Sequence, residues 1–81
     1  MLEQLTKQKK TIGVKQSVKA IRDKKATVVY IACDADPALT EPVRQLCVAQ
    51  DLPVCDEHSL KELGAAGGIA VGAAVIAVLQ A

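Results

Sequence analysis

Apolar and polar positions follow two rhythms along this chain, one of helical period and one that fills several consecutive positions. Leu2 and Leu5 among polar neighbours suggest a short first helix, and the basic stretch Lys7 to Lys10 leads out of it. Thr11, Ile12 and Gly13 read as a brief extended segment closed by a glycine that permits a tight turn. Val14, Val18 and Ile21 then recur at i, i+4 and i+7, which predicts a helix over Val14–Asp23 with one buried stripe. Lys15, Lys19 and Arg22 repeat that spacing one residue later. They form a cationic stripe about 100° round the helix from the apolar one.

From Thr27 to Cys33 the chain is β-branched and apolar on both alternating faces, the pattern of a central strand. Asp34 to Pro37 turns the chain, with Asp36–Pro37 suited to a turn or cap. Because Pro42 does not belong deep in a helix, a short turn is expected at Pro37–Leu39. The regular helix then begins at Thr40, has Val43, Leu46 and Cys47 inside, and ends near Asp51. Pro53 to Cys55 is a short strand. Ser59 with Glu62 three residues on makes a capping box for a two-turn helix that stops at Gly67–Gly68. Ile69 to Gly72 is a loop and Ala73 to Leu79 a final strand. Strands alternating with helices predict a three-layer α/β/α sandwich around a mixed, mostly parallel four-stranded sheet.

Length and composition narrow the class. Eighty-one residues are enough for one domain, and 51% hydrophobic with 23% charged residues is a folding composition. Tyr30 is the sole aromatic, so Val, Ile, Leu and Ala must make a thin core. Cys33, Cys47 and Cys55 lie in apolar runs without Cys-x-x-Cys spacing, which reads as buried reduced thiols rather than disulfides or a zinc site. The first residues lack a signal-peptide pattern. The apolar run Gly68 to Leu79 falls short of the roughly 18 residues that a membrane span needs. A cytoplasmic monomer without membrane attachment is the expectation.

The net charge of +1 says little, whereas its distribution says more. Residues 1–25 carry eight cations against two acids, net +6, and residues 26–81 carry two against seven, net −5. The basic end would meet a phosphate backbone. Catalysis has little support: His58 stands among acids without a relay or metal-ligand spacing, and it reads as a surface histidine. Asp34 and Asp36 suit backbone capping better than acid–base work. The glycines at 64, 67, 68 and 72 do not make a phosphate loop, and no cofactor or metal motif is present.

Gly13-Val14-Lys15-Gln16-Ser17-Val18-Lys19 is the strongest local feature. A glycine turn opens a helix whose first turn offers Lys15 and Gln16, with Lys19 one turn on. A helix N-terminus presents free N–H groups to a phosphate, and Lys and Gln can bond base edges. A helix enters the RNA major groove only where the duplex is bent or distorted.

This segment, together with Ala32-Cys33-Asp34-Ala35-Asp36-Pro37 and Gly68-Ile69-Ala70-Val71-Gly72-Ala73-Ala74, resembles the kink-turn-binding ribosomal proteins of the L7Ae family. The order and spacing look closest to small bacterial members of YbxF type. The family's Gly-x-Asn-Glu-x-x-Lys appears here as Gly-x-Lys-Gln-x-x-Lys. The resemblance implies that Gly13, Val14, Lys15, Gln16, Lys19 and Arg22 form one half of an RNA site. Lys15 and Gln16 would meet guanines of tandem sheared G·A pairs, and Lys19 a guanine or nearby phosphate. The other half would be the loop Gly68, Ile69, Ala70 and Val71, lying against flipped-out bulge nucleotides. The expected function is non-catalytic binding of kink-turn RNA in rRNA, a riboswitch or a similar structured RNA, with DNA not expected. The alternative is an adaptor domain that takes an acidic protein on its basic helix.

Overall fold

The computed structural model describes residues 8–80; the short helix expected at Leu2 and Leu5 lies outside them. Within them the chain runs β1 (Lys10–Ile12), α1 (Val14–Arg22), β2 (Ala26–Ile31), α2 (Pro37–Ala49), β3 (Val54–Cys55), α3 (Leu60–Gly67) and β4 (Val75–Leu79). The strands stand in the order β1-β4-β2-β3. Helices α1 and α2 pack on one face of the sheet and α3 on the other, giving the three expected layers.

The sheet is mixed as expected and β1, β2 and β3 run the same way, but two of its three strand pairings are antiparallel. Only β2 and β3 pair in parallel, while β4 runs antiparallel to both β1 and β2. The β1-α1-β2 crossover leaves a gap one strand wide, and β4 fills it from the opposite direction. Local helix and strand patterns carry no record of that late insertion.

Being central and covered on both sides, β4 must be apolar at every position. Val75, Ile76 and Ala77 are fully buried and Val78 is nearly so. Val75 and Ala77 meet Ile21, Val43 and Cys47 on the two-helix face, while Ile76 and Val78 meet Leu63, Ala66 and Tyr30 on the other. Each fully buried Ile, Leu or Val contributes about 1.5–3 kcal/mol relative to exposure. A register shift between Ala26 and Val28 lets Ala26 and Val29 face the same layer despite their odd separation.

Two sequence expectations need correction. Helix α2 begins at Pro37, not Thr40, because Asp36 accepts a bond from the Ala38 N–H at 3.0 Å and Pro37 occupies the first helical position. Pro42 therefore lies inside the helix on its exposed side, and the Ala38 carbonyl that it leaves without a donor is on an exposed turn. The cysteines also differ. Cys47 is buried, which pushes its thiol up against the opposing pull of Arg44; Cys55 is half-buried, and Cys33 is exposed. Cys33 lies two residues past the end of β2, in the turn, where the neighbouring layers no longer cover it.

Candidate nucleic-acid interface

Gly13 joins β1 to α1 with φ 107° and ψ 156°, a backbone region essentially reserved for glycine. Its N–H donates to the Val75 carbonyl at 2.9 Å, which ties the start of α1 to the start of β4. No side chain caps α1, and no acid stands in its first turn. The leading N–H groups and the positive end of the helix dipole thus face outward without a built-in anion. Val14 is half-buried against the two-helix core, and Ser17 is fully buried with its hydroxyl 3.3 Å from that of Thr11. These anchors rotate Lys15, Gln16, Lys19 and Arg22 outward, all exposed. With Val18 and Asp23 they line a shallow concavity along the helix. Arg22 is two turns from Lys15, about 10 Å along the axis.

The second half of the predicted site follows α3. Gly68 caps that helix in the left-handed region with φ 79°, and the Ile69 N–H donates to the Gly64 carbonyl at 3.0 Å. The loop folds back until the Ala73 N–H reaches the Leu60 carbonyl at 3.1 Å. This return path is possible only because residue 64 is glycine, since a Cβ there would run into the Val71 carbonyl. Sequence reasoning missed Gly64; the available signal was a glycine inside an otherwise favourable helix. Ile69 packs into the α3-side core, whereas Ala70 and Val71 are exposed, Val71 by 71%.

The ten predicted residues therefore form two groups, on α1 and on the loop after α3. Their helices cover opposite faces of the sheet, but the two groups approach the same end of it. The Gly13–Val75 bond marks that end from one side. From the other, Gly67 packs on the Ile12 side chain, where an added Cβ would lie 3.0 Å from Ile12 Cδ1.

The other helix starts are closed. At α3, Ser59 and Glu62 exchange two bonds of 3.1 Å, and Asp34 accepts from the Leu60 N–H at 2.7 Å. Asp36 closes α2. Asp36 has the local capping role expected of it, whereas Asp34 caps a different helix, α3, 26 residues further along the chain. The Ser59 N–H lowers the pKa of Glu62 below the usual carboxylate range, with smaller help from the Ser59 hydroxyl and His58.

Comparison with known proteins adds the decisive observation. The model of the ribosomal protein L7Ae/L30e/S12e/Gadd45 family matches residues 2–81. The chain belongs to this family. Among its relatives are an RNA-binding protein of Bacillus pumilus (strain SAFR-032), 43% identical over 84% of this chain and 83% of that one, and the RNA-binding protein YbxF of Geobacillus stearothermophilus, 41% identical over 85% and 84%. An RNA-binding protein of Geobacillus sp. (strain WCH70) is 39% identical over 89% and 88%. A Bacillus halodurans protein of unknown function has a similar structure, with TM-score 0.85 and 27% identity over 99% of this chain and 81% of that one. The fold also matches a Giardia lamblia 15.5kD RNA binding protein with TM-score 0.87 at 23% identity, over 99% and 68%. Membership in the L7Ae/L30e/S12e/Gadd45 family and the relatives' character place the chain outside the enzymes. Among the described residues, no helix is long and apolar enough to cross a membrane.

Proposed function

We propose that this family member binds structured RNA and stabilises a kink-turn, the bent duplex with a bulge and tandem sheared G·A pairs. The observation that carries the reading is the approach of two unlike surfaces to one sheet end: the uncapped cationic start of α1 and the exposed Val71 loop. The first suits phosphates and guanine edges; the second suits an unstacked base, which apolar atoms can cover. The RNA-binding relatives support the same reading.

In this proposal Lys15 and Gln16 read the sheared pairs, and Lys19 adds a phosphate or guanine contact. Arg22, two turns from the helix start, contributes to the field more than to base reading. Ala70 and Val71 meet the bulge, while Ile69 holds the loop from below. The protein binds the kinked RNA better than the extended form and so shifts that population. Each tenfold shift needs a differential affinity of about 1.4 kcal/mol.

A gel shift on a short kink-turn RNA tests the reading. Changing the sheared pairs to Watson–Crick pairs is expected to weaken binding at least tenfold. Equal affinity for both RNAs would overturn kink recognition, and no RNA binding beside capture of an acidic protein would favour the adaptor role.

A further inference from the structure

We infer that Cys55, Glu57 and His58 form a binding site for a zinc-like divalent transition ion. One ligand atom from each residue lies within 4.8 Å of those of the other two, at the end of β3 and in its connection to α3. None of the three belongs to the proposed RNA surface, so the inference is independent of the RNA reading.

The donors make a coherent set. Thiolate, imidazole and carboxylate together suit zinc or a neighbouring transition ion and disfavour calcium and magnesium, which take oxygen almost exclusively. The thiolate and carboxylate neutralise a dication, and three protein ligands leave one tetrahedral position for water. Around such an ion the donors would draw together to about 3.5 Å from one another, given metal–ligand bonds of about 2.0–2.3 Å. Cys55 and His58 stand three residues apart, the offset of a Cys-x-x-Cys pair with histidine in the second place. Asp56, between them, is engaged elsewhere: its carboxylate lies 3.3 Å from Arg44 Nη1.

The segment is also held at both ends, which limits the ordering cost of binding. Cys55 is in register with Tyr30 in the parallel β2–β3 pair. The His58 carbonyl accepts from the Cys33 N–H at 2.8 Å, and the capping box fixes Ser59 immediately after it. Glu62 Oε2 stands 3.7 Å from His58 Nδ1, a carboxylate beside the imidazole of the kind that commonly orients metal-bound histidines.

Titration of the full chain with Co²⁺ under reducing conditions tests the site. A thiolate-to-cobalt charge-transfer band is expected to saturate at one ion per chain and to be bleached by Zn²⁺. Cys55→Ser should abolish the band, Cys33→Ser should leave it, and His58→Ala should weaken Co²⁺ binding about tenfold or more. If Cys55→Ser does not fold by circular dichroism, Glu57→Gln at an exposed position supplies the test, with weaker Co²⁺ binding expected. Absence of the band, its survival in a folded Cys55→Ser protein, its loss in Cys33→Ser, or unchanged affinity in Glu57→Gln would each overturn the proposal.

Discussion

The starts of α1 and α3 are the same structural element finished in opposite ways. Helix α3 brings its own anions: Ser59 and Glu62 close the capping box, and the Asp34 carboxylate takes the Leu60 N–H. Helix α1 opens at Gly13 with no side-chain cap, no acid in its first turn, and Lys15 and Gln16 exposed beside it. A closed N-terminus has given its dipole and N–H groups to the fold, and the open one keeps them for an outside ligand. The difference teaches where a small domain places stability and where it leaves it unclaimed.

The most forceful way to break the contrast is to make α1 resemble α3. Lys15→Glu puts an acid in the first turn of α1. It is expected to raise stability slightly, by about 0.3–1 kcal/mol. RNA affinity should fall by about 1–3 kcal/mol, or about fivefold to more than hundredfold, as one base contact is lost. Urea unfolding and a gel shift on the same preparation read both effects. Parallel losses of stability and affinity would mean that the start of α1 is structural, like that of α3. Gln16→Ala sharpens the result, since a base reader loses more on a kink-turn than on plain duplex.

Next in size is Gly13→Ala. Nothing lies within 4 Å of a Cβ built there, so no collision obscures the result. The remaining cost is backbone conformation at φ 107°, about 1–3 kcal/mol, expected as a lower urea midpoint. An unchanged midpoint would mean that the turn relaxes easily and that α1 is not rigidly aimed.

These two helix starts also show what the sequence made legible. Ser59-x-x-Glu62 and Gly13-x-Lys15-Gln16 are local patterns, and both elements begin where those patterns say. Asp34 is different: its partner Leu60 lies 26 residues away, and only the completed sheet brings them together. The insertion of β4 between β1 and β2 is equally non-local, which is why element order does not foretell its two antiparallel pairings. At α2, Pro42 gave a strong local signal that the Asp36 cap and Pro37 outweighed. In the loop after α3, the residue pattern cannot separate Ile69, tucked into the core, from exposed Val71, because Gly64 sets the path of the chain beneath them. The three-residue offset from Cys55 to His58 is also present in the sequence, where His58 nonetheless reads as a surface histidine without metal-ligand spacing.

Breaking α3 instead should move stability alone. Ser59→Ala removes the side-chain half of the capping box and is expected to lower stability by about 1 kcal/mol. RNA affinity measured well below the unfolding midpoint should stay within twofold of the original, since α3 meets the proposed RNA surface only through its far end. A loss as large as that of Lys15→Glu would show that the two helix starts are coupled.

The smallest effect concerns pH. Glu62 is held below the usual carboxylate range first by the bond from the Ser59 N–H, and then by the Ser59 hydroxyl and His58. A carboxylate whose pKa is lowered by folding adds stability above its unfolded value of about 4.3. That stability is lost as the pH falls through the lower folded value. Glu62→Gln keeps an acceptor at the same position of the capping box but carries no charge to titrate. The expected outcome is a variant slightly less stable than the original near pH 7, with the two urea midpoints converging at an acid pH below the ordinary carboxylate range. Helix α1, with no acid in its first turn, offers no group comparable to Glu62, so this acid-dependent difference belongs to the start of α3. Midpoints that stay equally far apart at both pH values would mean that the carboxylate's charge does nothing for α3.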